Sequence, residues 1–138
     1  SEQSLKVAQE AERRAKEKSA EAERNARIAE GVNRFMQEAL LLAQGDNRGR
    51  DVTMYDAILQ AARQIPLTLD EGSLEEAGVR HVVGRVLATM AEFEQAESML
   101  RRSLEIREKQ LGPDNVWTLA TRFALAEMLS YAHRPAEA

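Results

Sequence analysis

Two histidines, His81 and His133, are the side chains of this sequence best suited to acid–base or metal chemistry at neutral pH. They stand far apart in the chain, and neither belongs to a His-Glu-x-x-His pattern, which would place two zinc ligands on one helical face. The sequence contains no cysteine, which excludes a thiolate nucleophile and a disulfide framework. We interpret His81, which stands among valines, as a side chain on a helix face or in a groove. No catalytic residue, metal site or cofactor is predicted.

The acidic pairs and the glycines also lack the sequence context that chemistry requires. Glu75 and Glu76 stand in the first turn of an expected helix, where the helix dipole stabilises carboxylates. Gly78 and Gly84 flank an apolar run within the same segment, whereas a phosphate loop joins a strand to a helix. The basic stretch 45–50 contains two glycines, and we interpret it as a solvated loop. The chain is therefore not expected to be an enzyme or to bind nucleotide.

Composition limits the chain to one domain with an appendage. Its 138 residues are 43% hydrophobic and only 4% aromatic, so the core must be built from aliphatic side chains, which favours helices. The formal net charge of −4 offers no field that would hold nucleic acid. No apolar run approaches the ~20 residues of a membrane-spanning helix. No direct membrane contact of this chain is predicted, and the compartment stays open.

One long helix is predicted from residue 2 to about residue 44, because this stretch has no proline and mostly strong helix formers. Residues 1–27 bury little and carry Glu–base pairs spaced four apart, which stabilise a helix in water. These pairs are Glu10–Arg14, Glu12–Lys16 and Glu23–Arg27. Alanines recur at seven-residue spacing: Ala8, Ala15, Ala22 and Ala29. Two interpretations stay open, namely a coiled-coil dimer through this alanine seam and a solvated helical extension.

The later part of this helix gains an apolar face, which predicts a helical repeat domain over residues 28–138. The face follows the helical period: Ile28, Val32, Phe35, Met36, Ala39, Leu40 and Ala43. After a glycine-bearing loop, Asp51 or Thr53 is expected to cap a second helix, which Pro66 ends. These two helices form the first predicted pair, over residues 28–66.

Three further helices are predicted in the second half of the chain. Ser73 caps the third, a turn at Ala91–Glu92 leads into the fourth, and together they form a full repeat over residues 73–110. After a Leu-Gly-Pro-Asp-Asn loop, a fifth helix from about 116 to 132 opens a second repeat, assigned to residues 116–138. No segment alternates polar and apolar residues over the length of a strand. The predicted fold class is all-α, built from antiparallel helical hairpins.

A pattern of small and large residues recurs after 42 positions: Gly84-Arg-Val-Leu87 returns as Ala126-Glu-Met-Leu129. Such a period is typical of stacked helical hairpins, in which small residues let paired helices approach to ~8–10 Å. The second copy of the pattern stops at Ala138, so we expect the sequence to end inside a repeat.

The third and fourth helices resemble a tetratricopeptide repeat. This repeat has small residues where its two helices touch and bulky residues between them. Those positions are occupied here by Gly84, Leu87, Phe93, Ala96, Leu100 and Ser103. The resemblance implies a helical superhelix whose concave face binds a protein or peptide partner. The long period and the Leu-Gly-Pro-Asp-Asn linker are similar to the kinesin-light-chain-type subgroup. The linker departs from that subgroup at Asn115–Trp117, and Phe123-Ala124 stand where paired groove asparagines are common.

Residues from about 20 to 138 also resemble the region after the membrane span of many bacterial serine/threonine protein kinases. The likeness includes the charged helix, the segment from Ile28 to Gln37 and the repeats that follow. It implies a signalling role as a sensor or scaffold segment outside a kinase core. Two alternatives stay open: a repeat module of a cytosolic regulator or transport adaptor, and a part of an enzyme that positions substrate.

The tetratricopeptide resemblance implies a partner-binding groove formed by the first helices of successive repeats. Mapped onto this sequence, its residues are His81, Arg85, Ala88 and Thr89 on the third helix and Phe123, Glu127, Ser130 and Tyr131 on the fifth. Arg85 and Glu127 give this groove both signs of charge, so the sequence does not fix the charge of the partner.

The fifth helix leaves two questions to the structure. Trp117 is expected either to fasten the corner before this helix or to be an exposed contact residue. The face with Leu125, Met128 and Leu129 is expected to lack part of its cover and to pack against a second copy, or else the helix frays. A homodimer is therefore predicted through this helix or through the N-terminal one.

Overall fold

The structure, a computed structural model, describes residues 1–44, 53–65 and 69–133. Five helices lie in these ranges: α1 (Glu2–Gln44), α2 (Met54–Arg63), α3 (Leu74–Thr89), α4 (Phe93–Leu111) and α5 (Val116–Ala132). No strand occurs within them. The prediction of an all-α fold of helical hairpins with a long N-terminal helix is confirmed. The predicted roles of Asp51, Pro66 and Ala138 fall outside the described residues.

Short polar side chains begin three of the helices. Thr53 and Ser73 cap α2 and α3 as predicted, since each hydroxyl accepts a hydrogen bond from the backbone N–H three residues later, at 3.2 and 3.1 Å. Asn115 caps α5 by accepting from the N–H of Trp117 at 2.9 Å. Each cap satisfies an N–H group that the first turn of a helix leaves without a partner.

The α3–α4 hairpin is packed through small residues at the predicted positions. A Cβ added at Gly84 would lie 2.8 Å from Cγ of Leu100, so only glycine allows this approach. Ala96 and Ser103 are fully buried, and the Ser103 hydroxyl donates to the carbonyl of Ala77 at 2.7 Å. Because the hydroxyl is hydrogen-bonded inside the contact, it is not a buried polar group without a partner. A serine can therefore serve as the small residue here.

The hydrophobic core draws on all five helices. Its buried members are Phe35, Ala39, Ile58, Ala61, Ala62, Ile65, Val79, Val83, Leu87, Ala96, Leu100, Leu125 and Met128. Half-buried Val82, Val86 and Phe93 lie at its edge or beside it. The core reaches α1 only in its second part, and none of residues 1–27 belongs to it.

Residues 1–27 are almost entirely exposed within the single chain. Ala8, Ala15 and Ala22 of the alanine seam are all exposed. The predicted ion pairs Glu10–Arg14 and Glu12–Lys16 are present at 3.1 and 3.3 Å. Glu23 and Arg27 do not approach to ion-pair distance, so that predicted pair is wrong.

The expectation that α5 leaves Leu125 and Met128 partly uncovered is wrong. Leu125 is 6% exposed and Met128 is 2% exposed, because α5 packs against α4 and touches α3, and both side chains join the common core. Leu129 is half-buried. The large apolar side chains that α5 does expose are Val116, Trp117, Leu119, Phe123 and Tyr131.

Candidate functional site

An open groove of about 930 Å³ runs between α3 and α5. Residues of both helices line it, together with Ala91, Phe93 and Leu100 from the turn and helix between them. The predicted residues that meet in this α3–α5 groove are His81, Arg85, Ala88, Thr89, Phe123, Glu127 and Tyr131. Ser130 is exposed and does not line it.

Helical spacing explains this grouping. Phe123, Glu127 and Tyr131 follow one another at four-residue steps, and residues so spaced share a helical face. Ser130 lies at the edge of that face, on the side of Phe123 opposite to Glu127 and Tyr131, and it does not line the groove. The prediction for Ser130 rested on the repeat pattern, which does not show how wide a part of the helical face the groove uses.

The groove combines an apolar floor with charged and aromatic walls. Its floor includes Leu100, which is 0% exposed, and Met128, which is 2% exposed. Phe123 on the α5 wall is 69% exposed. Arg85 and Glu127, which are both exposed, bring one charge of each sign to the facing helices. Such a surface can bury an apolar side chain of a partner and orient it by charge.

A hydrogen-bond network leads from the groove into the protein. His81 Nδ1 lies 3.1 Å from the Thr121 hydroxyl, which also accepts from Nη1 of Arg107 at 2.7 Å and donates to the carbonyl of Trp117 at 3.2 Å. Because the hydroxyl has a single proton, donation to that carbonyl requires Nδ1–H of His81 to donate to Thr121. Nε2 of His81 is then an acceptor.

The environment of His81 keeps the imidazole neutral at pH 7. Burial lowers its pKa to about 4, and the positive charges of Arg107 and Arg85 act in the same direction. His81 therefore offers the groove an uncharged polar group. This agrees with its interpretation as a groove histidine.

Arg107 joins the end of α4 to the start of α5. This residue is only 5% exposed, its Nη1 also donates to the carbonyl of Trp117 at 3.1 Å, and its guanidinium lies 5.7 Å from the centre of the Trp117 ring. Trp117 itself is 47% exposed, so it both fastens this corner and presents surface to solvent. Arg107 was not among the predicted functional residues, although its position seven residues after Leu100 places it on the buried face of α4.

Glu76 has a larger structural role than its position in a first helical turn indicates. It is 4% exposed, pairs with Arg80 at 3.0 Å and Arg102 at 3.4 Å, and accepts a hydrogen bond from the N–H of Gly72 at 3.1 Å. Interpreting Glu76 only as a helix-start charge was therefore incomplete, because its carboxylate ties α3 to α4. This polar cluster is structural, since every charge in it has a partner.

Comparison with known protein families finds a match in this part of the chain. Residues 75–138 match the family model of the tetratricopeptide repeat. Searches of curated proteins and of solved structures gave no match. Among the described helices, none has both the length and the apolar character that crossing a membrane requires. The match supports a tetratricopeptide repeat fold for this part of the chain, which contains the α3–α4 hairpin and α5, and repeats of this type typically bind protein partners.

Proposed function

We propose that the protein binds a protein or peptide partner in the α3–α5 groove. The observation that supports this proposal best is the set of predicted groove residues that line one open cavity, from His81 and Arg85 on α3 to Phe123 and Glu127 on α5. Phe123 is the natural anchor for a partner, because large exposed aromatic side chains dominate the binding energy of many interfaces.

The groove favours a partner segment with an apolar side chain next to polar ones. An apolar side chain would pack between Phe123 and the buried Met128, and the charges of Arg85 and Glu127 would set its direction. Neutral His81 supports a polar, uncharged contact at its end of the groove.

A peptide selection with two matched variants tests the groove. Peptides are selected from a random display library on the whole chain, and their affinities are then measured for Phe123→Ala and Leu119→Ala. Both residues are exposed apolar side chains of α5, but only Phe123 lines the groove. We expect Phe123→Ala to weaken the selected peptides by about tenfold or more and Leu119→Ala to have little effect. Equal affinities for the wild type and Phe123→Ala would contradict the proposal.

We also propose a signalling context, in which this repeat domain is a sensor or scaffold segment of a membrane-anchored bacterial serine/threonine protein kinase. The resemblance of residues 20–138 to such regions supports this. The alternative is a cytosolic regulator or transport adaptor whose repeats bind a peptide. The gene sequence upstream of Ser1 distinguishes them: kinase motifs followed by an apolar span favour the kinase, and a nucleotide- or DNA-binding domain favours the regulator.

A further part of the proposal is that residues 1–27 form a dimerising extension and residues 28–138 the repeat domain. The exposed alanine seam supports it, as do Leu5 and Val7, which are 60% and 70% exposed. A dimer should sediment at twice the 15.5 kDa of the chain. Ala15→Glu, within the seam, should abolish that dimer, whereas Ala20→Glu, outside it, should not. A dimer that survives Ala15→Glu would point instead to α5, where Leu119 is exposed.

A further inference from the structure

A second cavity, of about 270 Å³, lies where α1 passes the start of α3, the end of α4 and the start of α5. Its lining residues are Glu21, Arg24, Asn25, Ile28, Ala29, Val32, Asn33, Leu74, Arg107, Leu111, Asn115 and Trp117. None of them lines the α3–α5 groove. This α1–α4 cleft is thus a separate site that the proposed function does not use.

Arg107 gives the cleft a buried positive charge. The hydrogen bonds that its side chain donates to described residues all come from Nη1, which donates to the Thr121 hydroxyl and to the carbonyl of Trp117. No carboxylate of the described residues, including Glu21 of the same cleft, forms an ion pair with Arg107, and the adjacent Glu108 pairs instead with Arg122 at 3.0 Å. Burial lowers the pKa of Arg107 to about 10, so the guanidinium remains charged at neutral pH.

A buried charge without a counter-charge is unfavourable, and in proteins such groups are usually paired. Two neutral oxygens and the Trp117 ring hold the guanidinium in place but do not neutralise it. An anion bound in the cleft would supply the counter-charge that Arg107 lacks. A guanidinium with one nitrogen already fixed is well prepared to bind a carboxylate.

The rest of the lining indicates what kind of anion fits. Arg24 and Arg107 against Glu21 leave the wall with one net positive charge, which matches a single carboxylate better than a phosphate group of ~1.5–2 negative charges. The body of the cleft is apolar, with Ile28, Leu111 and Trp117 among its walls. Its volume is at the small end for ligand sites, which suits one or two side chains of a longer segment.

We propose that the α1–α4 cleft binds an acidic side chain flanked by an aliphatic residue from a protein partner, with the carboxylate on Arg107 and the aliphatic group against Trp117. This site would be distinct from the α3–α5 groove. A partner could then contact the repeat domain and α1 at the same time.

The only tryptophan of the chain, Trp117, lines this cleft, so intrinsic fluorescence reports binding there. The probes are the peptides acetyl-Leu-Glu-Leu-amide and acetyl-Leu-Gln-Leu-amide, which differ by one negative charge, and inorganic phosphate. We expect a saturable fluorescence change for the Glu peptide, with an affinity at least tenfold higher than for the other two probes. Equal binding of the Gln peptide or of phosphate would overturn the proposal.

Arg107 variants would disturb the α4–α5 corner, so the matched variants are placed on Asn33 of α1, an exposed residue that lines the cleft and lies outside the alanine seam. Asn33→Glu adds a carboxylate to the cleft wall and should weaken binding of the Glu peptide by tenfold or more. Asn33→Gln has the same size without the charge and should weaken it less than threefold. Equal losses in both variants would contradict a charge-specific site. Phe123→Ala should leave binding unchanged, and loss of binding in that variant would place the peptide in the groove and overturn the inference.

Discussion

Residues 1–27 of α1 and the α3–α4 hairpin are helical for different physical reasons. In residues 1–27 the side chains are exposed, and pairs such as Glu10–Arg13 and Glu12–Lys16 lie along the surface of one helix. In the hairpin, Leu87 and Leu100 are completely buried between helices. Local pairs add a few tenths of a kcal/mol each, whereas a buried leucine contributes roughly 1.5–3 kcal/mol. The same secondary structure therefore has very different stability in the two regions.

The change from a solvent-exposed helix to a packed helix occurs within α1. Up to Arg27 the helix is largely solvated, and from Gly31 onward it has a buried face with Phe35 and Ala39. Ile28 lies at the boundary, where its Cγ2 atom is 2.6 Å from the position that a Cβ of Gly78 would occupy. This close contact between α1 and α3 is thus made possible by a glycine of α3.

The largest expected effect comes from replacing the same residue type in the two regions. Leu100→Ala should lower the free energy of unfolding by about 3 kcal/mol, because it leaves a cavity at a site that is 0% exposed. Leu5→Ala, at a site that is 60% exposed, should change it by less than about 0.5 kcal/mol. Urea denaturation followed by circular dichroism measures both. Similar losses for the two variants would show that residues 1–27 are packed in solution, for example in a dimer.

The second prediction compares two glycines that are both in helices. Gly84→Ala should destabilise the fold by about 2 kcal/mol, because the new Cβ would lie 2.8 Å from Leu100 Cγ and 3.2 Å from Met99 Cβ. The Cβ of Gly31→Ala would meet no atom closer than 3.7 Å. This variant should stabilise the fold by about 0.5–1 kcal/mol, because alanine has a higher helix propensity than glycine. Thermal unfolding of the two variants should therefore shift in opposite directions. A stabilising Gly84→Ala would mean that α3 and α4 lie farther apart than described.

The helices could be predicted from sequence because their signals are local. Ser73 and Thr53 are capping residues before apolar periodic segments, and the recurrence of Gly84 as Ala126 identifies the hairpin contact. The groove residues came instead from the resemblance to a tetratricopeptide repeat, whose groove positions were mapped onto this sequence. Of the predicted groove residues, Ser130 lies outside the cavity, because it stands at the edge of the helical face and the repeat pattern does not show how wide the groove is.

The polar interior could not be predicted in this way. Arg107 and Glu76 are charged, and charged residues are rarely buried unless paired, so a sequence pattern assigns them to the surface. Their partners are Thr121 for Arg107 and Arg102 for Glu76, which come from other helices, and only the tertiary arrangement shows that they meet. The same holds for Leu125 and Met128, whose cover is supplied by the preceding hairpin.

The third prediction concerns the pH dependence of stability, and its source is His81 in the packed part of the protein. The folded-state pKa of His81 is lowered to about 4, so the unfolded chain binds a proton more readily than the folded one between pH ~6.5 and ~4. Stability should therefore be complete above pH ~6.5 and fall by about 1 kcal/mol as the pH decreases towards 4, allowing for partial solvent screening of this site. His81→Gln should remove this component of the pH dependence, and His133→Gln, at an exposed site, should not. The midpoint of urea denaturation at several pH values measures it, and an unchanged profile for His81→Gln would rule out His81 as its source.

The smallest effect is expected in residues 1–27 and should depend on salt. Glu10 lies against Arg13 and Arg14, and its hydrogen bond from Arg13 lowers the pKa of the Glu10 carboxyl below its ordinary value. Glu10→Gln should slightly reduce helix content in far-ultraviolet circular dichroism at low salt, and the difference should vanish at about 1 M salt, where exposed charges are screened. Glu23→Gln is the matched control, since Glu23 forms no ion pair with a described residue and its loss should change nothing. Leu100→Ala should keep its effect at every salt concentration, because a cavity is not screened. A Glu10→Gln effect that persists in high salt would therefore show that this part of α1 is held by packing, as the hairpin is, and would remove the distinction between the two regions.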